Sequence, residues 1–253
     1  MPTTSTSRDS RLPSADEGSL EVYSLSAVDL TSFGRLQDLL LYQLSGRKDG
    51  QAVLLLCEHP PTISMGREAS HAQLAETTED LQKNYIPVRW QNRGGKACLH
   101  QPGQLSICPL FPYKRRCVGL YEFSNRLEAL LLDVCRELKV EAERKSVGEG
   151  LWTPSGQIAW TGLSARWGLT FQGCFLNVDN DLELARLVTN DQNSNNISSL
   201  AMRRSRPLSM ATVRESVIRH FAQAFGYDEV HHYSSHPALS RSKQTVHAYA
   251  RHS

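Results

Sequence analysis

Phe33, Leu36, Leu40 and Leu44 recur at intervals of three and four residues, so residues 31–44 are expected to fold as a helix with one apolar face. The same spacing is clearest in Leu120, Phe123, Leu127, Leu130, Leu131, Val134 and Leu138. It returns in Val213, Val217, Phe221 and Phe225, which predicts a helix over 209–225 with Gly226 as its stop. Other apolar runs have a different period. Residues 52–57 are continuously apolar, as expected of a strand buried on both faces, and Pro60-Pro61 forces an extended exit from it. Residues 20–25, 86–90, 105–110, 165–169 and 171–178 also read as strands. Leu151-Trp152 and residues 157–163, parted by Pro154-Ser155-Gly156, read as a hairpin. Residues 74–84 read as a short acidic helix or loop, 180–188 as a short helix, and 189–199 as a polar, asparagine-rich loop.

Strands interleaved with three strong helices give the class α/β (α+β): a single domain with one mixed β-sheet flanked by helices. A chain of 253 residues with 40% apolar content can bury one good core. Residues 1–19 have almost nothing to bury and are expected to be a disordered tail. Residues 20–233 are then the folded domain, and 234–253 a flexible tail rich in Ser, His and Arg.

Charge excludes some partners. With 28 basic and 26 acidic residues the net charge is +2, which gives no general reason to bind nucleic acid or an anionic membrane. The longest apolar run is too short to span a bilayer, and no targeting segment is apparent. Two local clusters, Lys114-Arg115-Arg116 and Arg203-Arg204-Ser205-Arg206, are either solvated faces or docks for an acidic partner. Six cysteines stand singly, without the spacing of a zinc site or a disulfide framework, as expected of reduced thiols in a cytoplasmic protein. His220, His231, His232 and His236 fit no ligand set, so neither metal nor other cofactor is expected.

The candidate chemistry gathers in Arg93-Gly-Gly-Lys-Ala-Cys-Leu-His-Gln-Pro-Gly-Gln-Leu105. Its glycines and proline suit neither a helix interior nor a central strand, so it reads as a loop between two strands. Such a loop lets backbone approach a ligand closely, while Arg93, Lys96 and His100 supply two fixed charges and a titratable ring.

This loop resembles the substrate loop of the octanoyltransferases, also called lipoate-protein ligase B, whose pattern is RGGxxTYHGPGQL. Glu58-His-Pro-Pro-Thr-Ile-Ser-Met-Gly-Arg67 is similar to that family's EHPPVYTLGR. Gln157-Ile-Ala-Trp-Thr-Gly162 lies where the family has KIxxxG, and Phe171-Gln-Gly-Cys-Phe-Leu-Asn-Val178 where it has FHGxALNV. The resemblance implies the mixed-sheet catalytic domain shared with lipoate and biotin ligases. It also implies transfer of an octanoyl group from octanoyl-acyl carrier protein to a lysine of a lipoyl domain, either of a 2-oxoacid dehydrogenase or of the glycine cleavage H protein. Residues implied to surround the acyl chain are Arg93, Gly94, Gly95, Lys96, Ala97, Cys98, Leu99 and His100, then Trp160, Thr161 and Gly162, then Gly173, Cys174 and Phe175.

The chain departs from the family at the reacting centre. The family's lysine, which favours a thiolate, falls at Gln157, and the histidine of FHG at Gln172. The family's nucleophilic cysteine falls at Asp191 counting forward from Asn177, or at Asn190 counting back from Ile197-Ser-Ser-Leu200. Three routes stay open: acyl binding without transfer, transfer through Cys98 or Cys174, and direct attack by the lipoyl-domain lysine with His100 or Asp191 as base. An ATP-dependent lipoate ligase is a further alternative, but it too needs a lysine near Gln157.

Overall fold

The computed structural model describes residues 18–146, 150–188, 196–203 and 207–239. In chain order the elements are β1 (Leu20–Ala27), α1 (Leu30–Ser45), β2 (Ala52–Glu58), β3 (Thr62–Met65), α2 (Thr78–Lys83), β4 (Val88–Trp90) and β5 (Ala97–His100). There follow β6 (Gln104–Leu110), α3 (Leu120–Glu137), β7 (Leu151–Thr153), β8 (Gly156–Arg166), β9 (Leu169–Asn177), α4 (Leu182–Ala185), α5 (Met210–Phe225) and β10 (Val230–Tyr233).

Seven strands form a mixed sheet in the order β10-β1-β2-β6-β9-β8-β7. β1 runs parallel to both β2 and β10, and the remaining pairs are antiparallel. A second sheet, β4-β3-β5, pairs β3 parallel to β4 and antiparallel to β5. The expected α/β (α+β) single domain is therefore what forms, with two sheets where one was expected.

Side-chain alternation explains the layers. Along β2, Leu54 and Leu56 join the core under α3 and α5, which includes Phe123, Leu127, Leu131, Phe221 and Phe225. Val53, Leu55 and Cys57 turn the other way, into the core under α1 with Phe33, Leu36, Leu40 and Leu44. The uninterrupted apolar run is thus a strand covered on both faces. Two of the three strong helices, α1 and α5, start at side-chain caps, whereas α3 starts at Gly119 without one. The Asp29 carboxylate accepts from the Thr31 and Ser32 amides at α1. The Ser209 hydroxyl accepts from the Thr212 amide at α5, which ends at Gly226 in the left-handed conformation.

Three features differ from the sequence reading. The loop 93–105 contains β5, and the extended exit after Pro60-Pro61 is β3, which pairs with it. The separate strand expected at 165–169 is instead the end of β8, a turn at Trp167-Gly168, and the start of β9. β10 closes one edge of the large sheet; beyond it His236 meets the Tyr23 ring edge-on at 5.2 Å and Leu239 packs on the α1 core. No described helix is long and apolar enough to cross a membrane.

Candidate functional site

The small sheet presents one face to the large one, and alternation along β3 and β5 decides what lies between. Ile63, Met65, Ala97 and Leu99 form a small core on the far side with Leu81 and Ile86. Thr62, Ser64, Cys98 and His100 share the near side, because Thr62 pairs with His100 and Ser64 with Cys98. Facing them on the large sheet are Gln104, Phe175 and Asn177, with Gln104 paired to Asn177.

These side chains make one continuous polar relay. Arg93, 3% exposed, donates to the Ser64 hydroxyl from Nε at 3.2 Å and from Nη2 at 2.7 Å. It also donates to the Ser64 carbonyl at 2.9 Å and the Gly94 carbonyl at 3.0 Å. Ser64 Oγ lies 2.6 Å from His100 Nε2, and His100 Nδ1 lies 3.0 Å from Gln104 Oε1. Gln104 Nε2 donates to the Leu99 carbonyl and to Asn177 Oδ1, both at 3.0 Å. Asn177 Nδ2 then donates to the Ser198 carbonyl at 2.9 Å. Proton bookkeeping fixes the tautomer. Gln104 Nε2 spends both hydrogens on Leu99 and Asn177, so Oε1 accepts from His100, which carries its proton on Nδ1 and leaves Nε2 to accept from the Ser64 hydroxyl.

The electrostatics agree. Burial, then the neighbouring His59 and Arg93, hold the His100 pKa well below the usual imidazole range. His59 is also buried; desolvation takes it down to about 4, although Nδ1 donates to the Val28 carbonyl at 2.5 Å. The two neutral rings meet edge to face at 5.4 Å, and His100 meets Phe175 at 4.4 Å. Burial lowers the Arg93 pKa without threatening its charge, and its guanidinium lies 5.6 Å from the Phe175 ring centroid.

The glycine-rich turn sits directly on β8. Gly94 N donates to the Leu163 carbonyl at 3.1 Å, and Arg67 donates to Asn92 and Ser164 at 3.0 and 2.9 Å. Glu68 accepts from the Gly95 amide at 3.1 Å. A side chain on Gly66 would put Cβ 2.1 Å from the Gly95 carbonyl oxygen, so only glycine admits this approach. The indole N–H of Trp160, on the same face of the sheet as Phe175, is buried without an acceptor among the described residues.

The lipoyl protein ligase A/B catalytic domain model matches residues 35–222, which include every residue of the relay. The chain belongs to that family. It is 30% identical over 212 residues to an octanoyltransferase of Koribacter versatilis, covering 81% of this chain and 84% of the relative. It is 32% identical over 174 residues to an octanoyltransferase of Nitratidesulfovibrio vulgaris, covering 69% and 75%. Among solved structures, a bipartite lipoate protein ligase from Thermoplasma acidophilum, studied with its E2 lipoyl domain, superposes with a TM-score of 0.69 at 16% identity, covering 88% and 89%. A lipoate-protein ligase A bound with ATP gives 0.66 at 16% identity, covering 88% and 91%. At that identity these structures establish the shared fold.

Against the family pattern, Gln157 stands at the start of β8, 8% exposed, with Nε2 donating to the Ala159 carbonyl at 3.0 Å. Its backbone pairs with the segment after the asparagine-rich loop: Gln157 N donates to Asn196 O and Ser198 N to Gln157 O, each at 2.9 Å. The relay therefore runs from the glycine-rich turn to the place where Gln157, Asn177 and Ser198 meet. Asn190 and Asp191 lie outside the described residues.

Both candidate substitute thiols are buried. Burial raises Cys98 to about 11 and Cys174 to about 12. Cys174 and Thr161 turn away from the small sheet; the Thr161 hydroxyl donates to buried Glu128 of α3 at 2.8 Å and lies 3.5 Å from the Cys174 sulfur. Thr161 therefore presents backbone to the glycine-rich turn, its carbonyl oxygen lying 3.5 Å from where a Cβ on Gly95 would stand. Gln172 adopts φ +60 within β9 and donates to Gln37 at 3.2 Å. Ala97 and Leu99 pack in the small core, and Lys96 is half-buried on the turn. Ser64, Gln104, Asn177 and Ser198 went unmarked in the sequence, though Ser64, Gln104 and Asn177 lie inside the matched motifs. Among the described residues no three potential metal ligands cluster.

Proposed function

We propose that this chain is an octanoyltransferase of protein lipoylation, moving an octanoyl group from octanoyl-acyl carrier protein to a lipoyl-domain lysine in the cytoplasm. The observation that carries the reading is the relay, because it ties the glycine-rich turn, the EHPP-like segment and the two long strands into one site. Arg93 supports it further: its hydrogen bonds among the described residues go to neutral oxygens, which leaves a buried cation and the Trp160 N–H for a ligand's carbonyl.

With Gln157 in place of the family lysine and no cysteine at 190 or 191, the step we favour is direct. The neutral amine of the acceptor lysine attacks the thioester carbonyl, the C–N bond forms, and the C–S bond breaks. The proton shed by nitrogen ends on the departing thiolate. Holding the two reactants together supplies the rate, as proximity can contribute roughly 7 kcal/mol or more in a well-oriented site. His100 is a strut in this scheme, since both its nitrogens are engaged and burial disfavours its protonation. No cofactor enters the reaction.

The test incubates the protein with octanoyl-carrier protein and a lipoyl domain of a 2-oxoacid dehydrogenase or of the glycine cleavage H protein. Octanoylated lipoyl-domain lysine in the absence of ATP supports the reading. Product only with free octanoate and ATP makes the protein a ligase. Retained acyl binding without product makes it a binder.

A further inference from the structure

Lys114-Arg115-Arg116 divides into two parts. Arg116 is buried, bonded to the Phe225 carbonyl and stacked 5.0 Å from the Tyr227 ring, so it belongs to the core. Lys114 and Arg115 are exposed beside the tip of the β8–β9 hairpin. Lys114 N donates to the Gly168 carbonyl at 3.4 Å, and Arg115 donates to the Ser45 carbonyl at the end of α1, also at 3.4 Å. Arg166, at the end of β8, pairs with Asp38 of α1. Arg35, Asp38, Leu39 and Tyr42 follow helical spacing on the outer side of α1, where Tyr42 is 72% exposed. Four cations and one carboxylate, already paired, thus surround two exposed aromatic rings, Tyr42 and Trp167.

Trp167 breaks a local rule. The hairpin turns through Trp167 and Gly168 with φ +55 and +80, the pattern of a type I′ turn, which favours Asn, Asp or Gly at its first position. A tryptophan there is strained, and at 59% exposure it gives little to the core. The Arg166 guanidinium backs its ring at 4.7 Å. A rigid aromatic held outward among cations is the composition of an interface anchor. The same hairpin carries Gly162, whose added Cβ would stand 3.1 Å from Arg93 Cδ. From Gly162 to Trp167 an extended strand spans roughly 17 Å.

We propose that the hairpin tip and the outer stripe of α1 are the docking surface for the acidic carrier protein that delivers the acyl thioester. The inference rests on the acyl-transfer reading above. Charge selects the occupant: the carrier is acidic, whereas the acceptor offers a lysine, which this field repels.

Two variants test it: Trp167→Asn, which suits the turn, and the double change Lys114→Glu with Arg115→Glu. Carrier-protein binding is measured by calorimetry with an amide-linked octanoyl carrier, and transfer is followed from both octanoyl-carrier protein and octanoyl-pantetheine. Both variants should weaken carrier binding about ten-fold or more, equivalent to roughly 1.4 kcal/mol, with a salt dependence that the charge variant loses. Use of octanoyl-pantetheine should be unchanged, and Trp167→Asn should melt no lower than wild type. Carrier affinity within about two-fold of wild type in both variants, or a loss confined to the lipoyl domain, overturns the proposal. If the wild type binds carrier yet makes no product, the transferase reading fails and the dock stands. If the wild type transfers and the variants bind carrier normally, the dock fails and the reading stands.

Discussion

Acidification should destabilise this protein through the imidazoles of its site, and His59 sets the scale. Its pKa falls from the ordinary 6.5 to about 4 because burial penalises the charged ring. Between those values the unfolded chain binds a proton that the folded chain refuses, so stability falls as pH falls. The contribution is intact above pH 6.5 and fully lost below the folded value. Worked through, His59 alone removes about 2 kcal/mol between pH 7.5 and 5, of about 3 kcal/mol available in all. His100 is shifted in the same direction and adds to the loss. Glu137, held at about 2 by Arg219, His220 and Ser216, acts only at lower pH, where its protonation removes a contact between α3 and α5. The assay is urea unfolding across pH 7.5 to 5, for wild type and for His59→Gln, whose amide can still donate to the Val28 carbonyl. Wild type should lose 2 kcal/mol or more, as a rough figure, and the variant should lose markedly less. A flat wild-type profile, or an equal loss in the variant, would refute the reasoning.

Other substitutions probe the same site. Ser64→Ala strips two hydrogen bonds from buried Arg93 and one from His100 and should cost about 3 kcal/mol in urea unfolding while abolishing octanoyl binding. Gly66→Ala drives Cβ into the Gly95 carbonyl and should destroy acyl binding; Gly34→Ala, in open space on α1, should raise stability by about 0.5–1 kcal/mol. Both are read by melting and by equilibrium binding. Cys98→Ser and Cys174→Ser should keep transfer, and iodoacetamide on the native protein should label the exposed Cys117 ahead of the five buried thiols, as peptide mapping would reveal.

The long elements were legible because each carries its own periodicity. Residues 52–57 need no alternation when both faces are covered, and the three helices bury one stripe each. What stayed hidden depends on partners remote in sequence. β5 is four residues between glycine-rich turns, and it becomes a strand only against β3, itself masked by the preceding prolines. The tip of the β8–β9 hairpin was misread because tryptophan is no turn residue, so 165–169 passed for a strand. At the site, glycine spacing marked Arg93 and His100. Ser64 lies 29 residues from Arg93, and Asn177 lies 73 from Gln104, separations at which no local pattern announces a hydrogen bond. Thr161 and Cys174 show the converse, for their motif positions are adjacent to the site while the strand's alternation turns their side chains to α3.

The central claim is that octanoyl transfer proceeds at this relay without a thioester on the protein. Intact-mass spectrometry of both the protein and the lipoyl domain, sampled through turnover with octanoyl-carrier protein, tests it most directly. The account predicts an octanoyl group accumulating on the lipoyl-domain lysine while the protein's own mass stays unchanged, in wild type and in the Cys98→Ser and Cys174→Ser variants alike. An octanoyl adduct on the protein that forms and decays with turnover, or a lipoyl domain that never gains mass, would contradict it.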